Sequence, residues 1–312
     1  MIKIFIKSLI PNALLKKLVK FKNKSTSTRI YFENNLVTID KKGIQGATPV
    51  FYWDGVPNFG DTVGPYLVSK ITKKPVFNIF NKEVSGLMAV GSILQLVDRK
   101  NMVVWGSGLI DEPSDNLVQD LKKYKPKILS LRGKQTAHYL SNAGVDVPDE
   151  STYGDPALVL PRFYQPKVTR KFEIGFCPHY IHKKYFLPGT IDGEMFNIID
   201  VQLDMKNVID QICSSDICIS TSLHGLIIAQ AYNIPWVWLE ICDENLYGNE
   251  FKFKDFFSTI DESAVSHVKT TLSELTNIDF EVLAKSARLP TKLYNEDKII
   301  EALENHLLNT QH

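Results

Sequence analysis

The residues best suited to chemistry lie in Asp216-Ile-Cys-Ile-Ser-Thr-Ser-Leu-His-Gly225. Ile217–Ser220 reads as a buried strand, Thr221 and Ser222 are good N-caps, and an apolar helix follows. Unpaired backbone N–H groups, two hydroxyls and His224 then surround one helix N-terminus, which suits a phosphate or a carboxylate. The dipole there lowers the imidazole pKa, so His224 is available as a base or, beside a bound dianion, as an acid. The same pattern also describes an ordinary capped helix holding a satisfied histidine.

Asn58-Phe-Gly-Asp61 follows a strand-like run that ends at Trp53. Pro65 suits the first turn of the next helix, which leaves Asp61 in the loop or at the helix entrance. A carboxylate there can take a proton from a sugar hydroxyl or hold that hydroxyl by hydrogen bonding; it can equally be a cap. Arg132 comes directly after Ile128–Leu131, where a guanidinium can fork onto a carboxylate or phosphate, or form a surface ion pair. Gly91-Ser92 and Gly106-Ser-Gly108 also follow strands and would let a ligand approach the backbone. Neither is a GxGxxG or Walker A motif, so nucleotide binding gains little support. Lys252 and Lys254 alternate with phenylalanines in Phe251-Lys-Phe-Lys254, pointing charge into a cleft or into water. His179 and His182 make an HxxH near Cys177, but in a loop lacking a carboxylate at helical spacing, so no metal is expected. Trp236 and Trp238 alternate within a strand as core residues do. There is no GxSxG around Ser222, and no basic–aromatic pattern suggests nucleic acid.

The elements that must position these residues alternate. Strand-like runs are Pro49–Trp53, Val76–Ile79, Leu87–Val90, Met102–Trp105 and Ile128–Leu131, with a helix at Lys134–Asn142 closing at Gly144. After a proline-spaced linker, Pro161–Pro166, come Glu173–Cys177, Asn197–Val201, Ile217–Ser220 and Pro235–Leu239. Helices at Met205–Ser214 and Ser222–Tyr232 separate the last three, and Glu296–Leu308 is a final amphipathic helix. Two successive βαβ series argue for two doubly wound α/β domains with parallel sheets, whose ligands sit outside the strands' carboxyl ends.

With 312 residues, 44% hydrophobic and 23% charged, the chain can build a sizeable core and resembles no disordered class. A net charge of +1 excludes a polyanion-binding surface over the whole protein, and no apolar run is long enough for a membrane helix. Four cysteines without regular spacing read as reduced thiols in a cytoplasm. Residues 1–24 carry seven lysines and no acid, with Leu14, Leu15, Leu18 and Phe21 at helical spacing. Such an arm can lie on an anionic membrane surface or pack on the protein itself.

Six segments in register resemble the polysaccharide pyruvyl transferase family. They are Tyr52-Trp53 with Asn58-Phe-Gly-Asp61, Gly91-Ser-Ile-Leu94, Val104-Trp-Gly-Ser-Gly108, Leu129-Ser-Leu-Arg132-Gly133, Gly154-Asp-Pro156 and Ser220-Thr-Ser-Leu-His-Gly225. The resemblance implies two Rossmann-like doubly wound domains facing a cleft, GT-B-like. An acceptor-side half would span 48–165 and a phosphoenolpyruvate-side half 166–290, with a terminal helix over 291–312 and a basic lead-in over 1–47. It implies transfer of the enolpyruvyl unit of phosphoenolpyruvate onto two hydroxyls of one sugar, giving a cyclic ketal and phosphate without metal, nucleotide or other cofactor. His224 is then expected as the acid/base, Asp61 as its partner at a sugar hydroxyl, and Arg132 as the anion clamp. Thr221, Ser222, Gly225 and Lys252 join Arg132 and His224 around phosphoenolpyruvate, while Asn58, Asp61, Ser92 and Ser107 face the acceptor. Asp155 is expected to support the turn before Pro156. The implied acceptor is a sugar of a surface polysaccharide or its lipid-linked precursor at the inner membrane face, where the basic arm would hold the enzyme. Two other readings fit the pattern: a nucleotide-sugar glycosyltransferase, or a non-catalytic component of a polysaccharide assembly complex.

Overall fold

The computed structural model describes residues 28–32, 35–39, 46–80, 83–186, 195–244, 246–248 and 250–310. The basic arm at 1–24 lies outside them. The first sheet contains β1 (Thr28–Phe32), β2 (Asn35–Ile39), β3 (Thr48–Phe51), β4 (Val76–Asn78), β5 (Leu87–Met88), β6 (Val103–Trp105) and β7 (Lys127–Ser130), in the spatial order β2-β1-β4-β3-β5-β6-β7. The second contains β8 (Phe172–Cys177), β9 (Phe196–Ile198), β10 (Ser215–Ser220), β11 (Trp236–Ile241) and β12 (His267–Thr270), in the order β12-β11-β10-β8-β9. β1 pairs antiparallel with β2 and with β4; all other pairings are parallel. The first sheet therefore starts before residue 48, because β1 extends its β4 edge.

Counted in chain order, the five parallel strands of each sheet are arranged 2-1-3-4-5. The order reverses between β3 and β5 in one sheet and between β8 and β10 in the other. Chains leaving a reversal diverge to opposite faces, and the crevice this opens is where ligands bind in doubly wound sheets.

Eight α-helices are described: α1 (Phe59–Thr72), α2 (Asp115–Tyr124), α3 (Lys134–Asn142), α4 (Met205–Cys213), α5 (Leu223–Ala231), α6 (Phe251–Phe257), α7 (Phe280–Ala284) and α8 (Glu296–Asn309). α1 begins at Phe59, ahead of the start expected from Pro65. Pro65 therefore lies inside the helix and withholds the N–H that would bond the Asp61 carbonyl one turn earlier. α5 is apolar except at His224 and Gln230, and most of its residues are buried.

One continuous core explains the location of α1 and α5. Phe59, Val63 and Leu67 of α1, Leu226, Ile227 and Ile228 of α5, and Ile299 and Leu303 of α8 pack together between the sheets. Ala157–Leu160, in a 3-10 turn over Pro156–Arg162, join them. The segment that reads as a linker is thus pinned on both sides: Tyr66 donates to the Phe163 carbonyl, and Tyr232 to that of Tyr164. The terminal helix returns to the first sheet, where Trp105 Nε1 donates to the Ile299 carbonyl at 2.7 Å. Trp236 and Trp238 are buried, as their alternation predicts.

Candidate active site

The two order reversals bring the first turns of α1 and α5 together. Phe59 N–H donates to the Val201 carbonyl at 2.8 Å, tying the entrance of α1 to the second sheet. A Cβ on Gly60 would stand 2.3 Å from His224 Nδ1, so only glycine lets the helices meet this closely. The Phe59 ring meets the imidazole edge-on at 6.3 Å. His224 Nε2 is buried with no hydrogen-bond partner, and no side chain caps α5. Burial, reinforced by the charges of Arg132 and Lys252, holds the His224 pKa down at about 3. Asp61 sits in the first turn of α1 and accepts from Asn58 Nδ2 at 3.1 Å. Burial pushes its carboxyl up to about 7 and Asp54 adds to this, while the Asn58 bond and Lys252 oppose it.

Lys252 faces this pair. Phe251-Lys-Phe-Lys254 is helical rather than extended, so its two lysines point about 200° apart. Lys252 is buried, donates to the Tyr247 carbonyl at 3.2 Å, and has its pKa lowered to about 8 by burial and by Arg132, with Asp61 opposing. Lys254 is exposed and pairs with Glu250 at 2.6 Å.

Arg132 is not the open clamp that its position after a strand suggests. It is fully buried and pairs with Asp255, with Nη2 and Nε at 2.8 and 2.9 Å from Oδ2. It also donates to the Leu109 carbonyl and to Ser92 Oγ, which leaves a single Nη1–H. Asp255 accepts in addition from the backbone and hydroxyl of Thr136. The glycines beside this bridge make room for it. A Cβ on Gly133 would lie 1.8 Å from the Asp255 carbonyl oxygen, and one on Gly108 2.6 Å from the Arg132 guanidinium. Ser92 Oγ accepts from Arg132 and keeps its own O–H to donate. Ser107 is fully buried, donating to Gly91 O at 2.8 Å and accepting from Ile93 N, so it is structural rather than an acceptor contact.

On the second sheet, Ser222 takes the extended N-cap conformation without a side-chain capping bond, and its N–H goes to Ser220 Oγ. Thr221 Oγ1 is engaged by His179 N–H at 2.8 Å and by His182 Nδ1 at 2.9 Å. Gly225 is required for packing: a Cβ there would meet Ser220 Oγ at 2.3 Å and Cys177 Sγ at 2.8 Å. Asp155 caps the 3-10 turn that begins at Pro156, accepting from Ala157 N–H, rather than supporting a turn before it, and burial raises its carboxyl to about 6.

Sequence reasoning weighed His179 only as a metal ligand and missed Asp255. His179 stands within electrostatic reach of Lys252, His182 and His224, and burial holds it well below the ordinary histidine range. Among the described residues no cluster of three or more His, Cys, Asp or Glu side chains converges as metal ligands. Both ring nitrogens of His182 are engaged within the protein, the second by the Glu244 carbonyl at 2.7 Å.

Fold and site together define a doubly wound α/β protein in which a buried lysine, a carboxyl and imidazoles from the two halves lie within electrostatic reach of one another. The chain belongs to the polysaccharide pyruvyl transferase family, whose model matches residues 22–243. It is 29% identical over 220 residues to the succinoglycan biosynthesis protein ExoV of Rhizobium meliloti (strain 1021), covering 67% of this chain and 64% of that protein. It is also 29% identical over 210 residues to the uncharacterized protein L143 of Acanthamoeba polyphaga mimivirus, covering 64% and 70%. No solved structure matches it at a significant level. No helix among the described residues is long and apolar enough to cross a membrane.

Proposed function

We propose that the protein forms a cyclic pyruvate ketal on a sugar of a surface polysaccharide or its lipid-linked precursor, using phosphoenolpyruvate and releasing phosphate. The observation that carries this reading is that buried Lys252 acts electrostatically both on Asp61, a carboxyl that holds a proton near neutrality, and on His224, whose Nε2 is buried and unpartnered. A proton delivered to the methylene carbon creates an oxocarbenium centre at C2. One sugar hydroxyl adds there and loses its proton to a base. The C2–O bond to phosphate then breaks, phosphate leaves, and the second hydroxyl closes the ring with loss of its own proton. Asp61 suits delivery of the first proton, and neutral His224 suits its removal from a hydroxyl. Lys252 and the uncapped N-terminus of α5 would hold the anion. The Arg132–Asp255 bridge shapes the crevice from behind.

Phosphate release from phosphoenolpyruvate should depend on a sugar acceptor from a panel of galactosides, mannosides and glucosides, and vanish in His224→Ala. Thermal stabilisation by UDP or GDP but not by phosphoenolpyruvate would instead support a glycosyltransferase. The basic arm would keep the enzyme near a lipid-linked acceptor. Deleting residues 1–24 should weaken binding to anionic liposomes and leave activity on a soluble acceptor intact; unchanged liposome binding sinks the anchoring role.

A further inference from the structure

We propose that His179 is a further binding residue of this site, donating from Nε2 to the phosphoryl group of the ligand, and that His182 and Thr221 position it. The assignment of a phosphoryl ligand rests on the reading above; the positioning chain rests on geometry alone. It starts at the Glu244 carbonyl, which can only accept, so His182 Nε2, 2.7 Å away, carries the hydrogen. In the neutral ring Nδ1 is then an acceptor, and the Thr221 hydroxyl 2.9 Å away must donate to it. Thr221 Oγ1 keeps lone pairs, and one takes the His179 N–H at 2.8 Å. Ile181 N–H in turn points at His179 Nδ1 at 3.3 Å. Nδ1 is therefore an acceptor, and the His179 hydrogen sits on Nε2.

Every hydrogen in the chain has one direction, and what it leaves over is a donor on His179. The HxxH spacing serves this purpose. His182 N–H bonds the His179 carbonyl at 2.7 Å, forming a single turn that brings both residues to Thr221. His182 is buried and locked at both nitrogens, whereas His179 is half-buried at the carboxyl end of β8, beside the order reversal that α5 enters. Lys252 and His224 lie within electrostatic reach of it. With Arg132 matched by Asp255, a phosphoryl dianion here meets the Lys252 cation and needs further donors, which His179 supplies.

The full chain, labelled with nitrogen-15 at histidine, tests both parts. Long-range proton–nitrogen spectra should show His179 and His182 as Nε2–H tautomers, and phosphoenolpyruvate should move the His179 Nε2 resonance. By calorimetric titration, His179→Ala should weaken phosphoenolpyruvate binding about tenfold or more. His179→Gln, which retains an amide donor near the Nε2 position, should recover most of that loss. His182→Ala should weaken binding because Thr221 then holds the turn less firmly, with a melting curve confirming that the variant is folded. A wild-type His182 with its hydrogen on Nδ1 overturns the positioning chain whatever the variants do. Wild-type affinity in His179→Ala overturns the binding role while leaving the proposed reaction standing. Absence of phosphoenolpyruvate binding in the wild type overturns the binding role and the proposed reaction together.

Discussion

His224 and Asp61 are displaced in opposite directions by the same burial, and the stability each contributes changes with pH in opposite directions. The His224 pKa falls from 6.5 to about 3, so below pH 6.5 the unfolded chain binds a proton that the folded site refuses. Stability from this group is complete above pH 6.5 and drains away as pH falls toward 3. Asp61 is raised from 3.8 to about 7, so the folded state keeps a proton that the unfolded chain has lost. Its contribution weakens as pH rises from about 4 through 7. Melting temperatures of wild type and His224→Gln should therefore diverge below pH 6.5, the wild type losing more, and run parallel above it. For Asp61→Asn the gain in melting temperature should grow between about pH 4 and 7 and level off above. Parallel curves throughout would show that the groups are solvated. Activity needing a protonated Asp61 and a neutral His224 should fall as pH rises through 7.

Contacts between elements carry the geometry of the site. Gly60 brings α1 against the His224 ring, and a methyl group there must displace it. Gly60→Ala should cut acceptor-dependent phosphate release by about tenfold or more, since small misplacements of reacting groups are costly, with a lesser effect on melting. An unimpaired Gly60→Ala enzyme would show that the contact is incidental. α6 is held differently, by Asp255 against Arg132 with both side chains fully buried. Removing one partner strands a buried charge, so Asp255→Ala should lower unfolding free energy by about 3–5 kcal/mol in urea titration. Phosphoenolpyruvate binding should weaken as well, because Lys252 lies one turn away on the same short helix.

At the scale of the whole molecule, the two sheets share one core through α1, α5 and α8. Calorimetry of the full chain should show a single cooperative transition, and two separate transitions would contradict the shared core. Leu226, fully buried on α5, reports on this coupling. Leu226→Ala should cost about 2–5 kcal/mol and shift the whole transition rather than part of it.

Local periodicity by itself determined the βαβ alternation, the spans of α3 and α8 to within a residue, and the segments that end at Asp61 and His224. Those signals reside in neighbouring residues: alternation for strands, three-to-four spacing for helices, caps and glycines at the ends. Family membership was legible for the same reason, since its motifs lie at strand ends. Tertiary structure alone decided which charges face which. Arg132 reads as an anion clamp or a surface ion pair until Asp255, distant in sequence, pairs with it in the interior. Lys252 and Lys254 are indistinguishable until α6 forms and turns one inward. His179 joins the site only when β8 and β10 lie side by side, because hydrogen bonds and burial between distant segments leave no periodic trace in the chain.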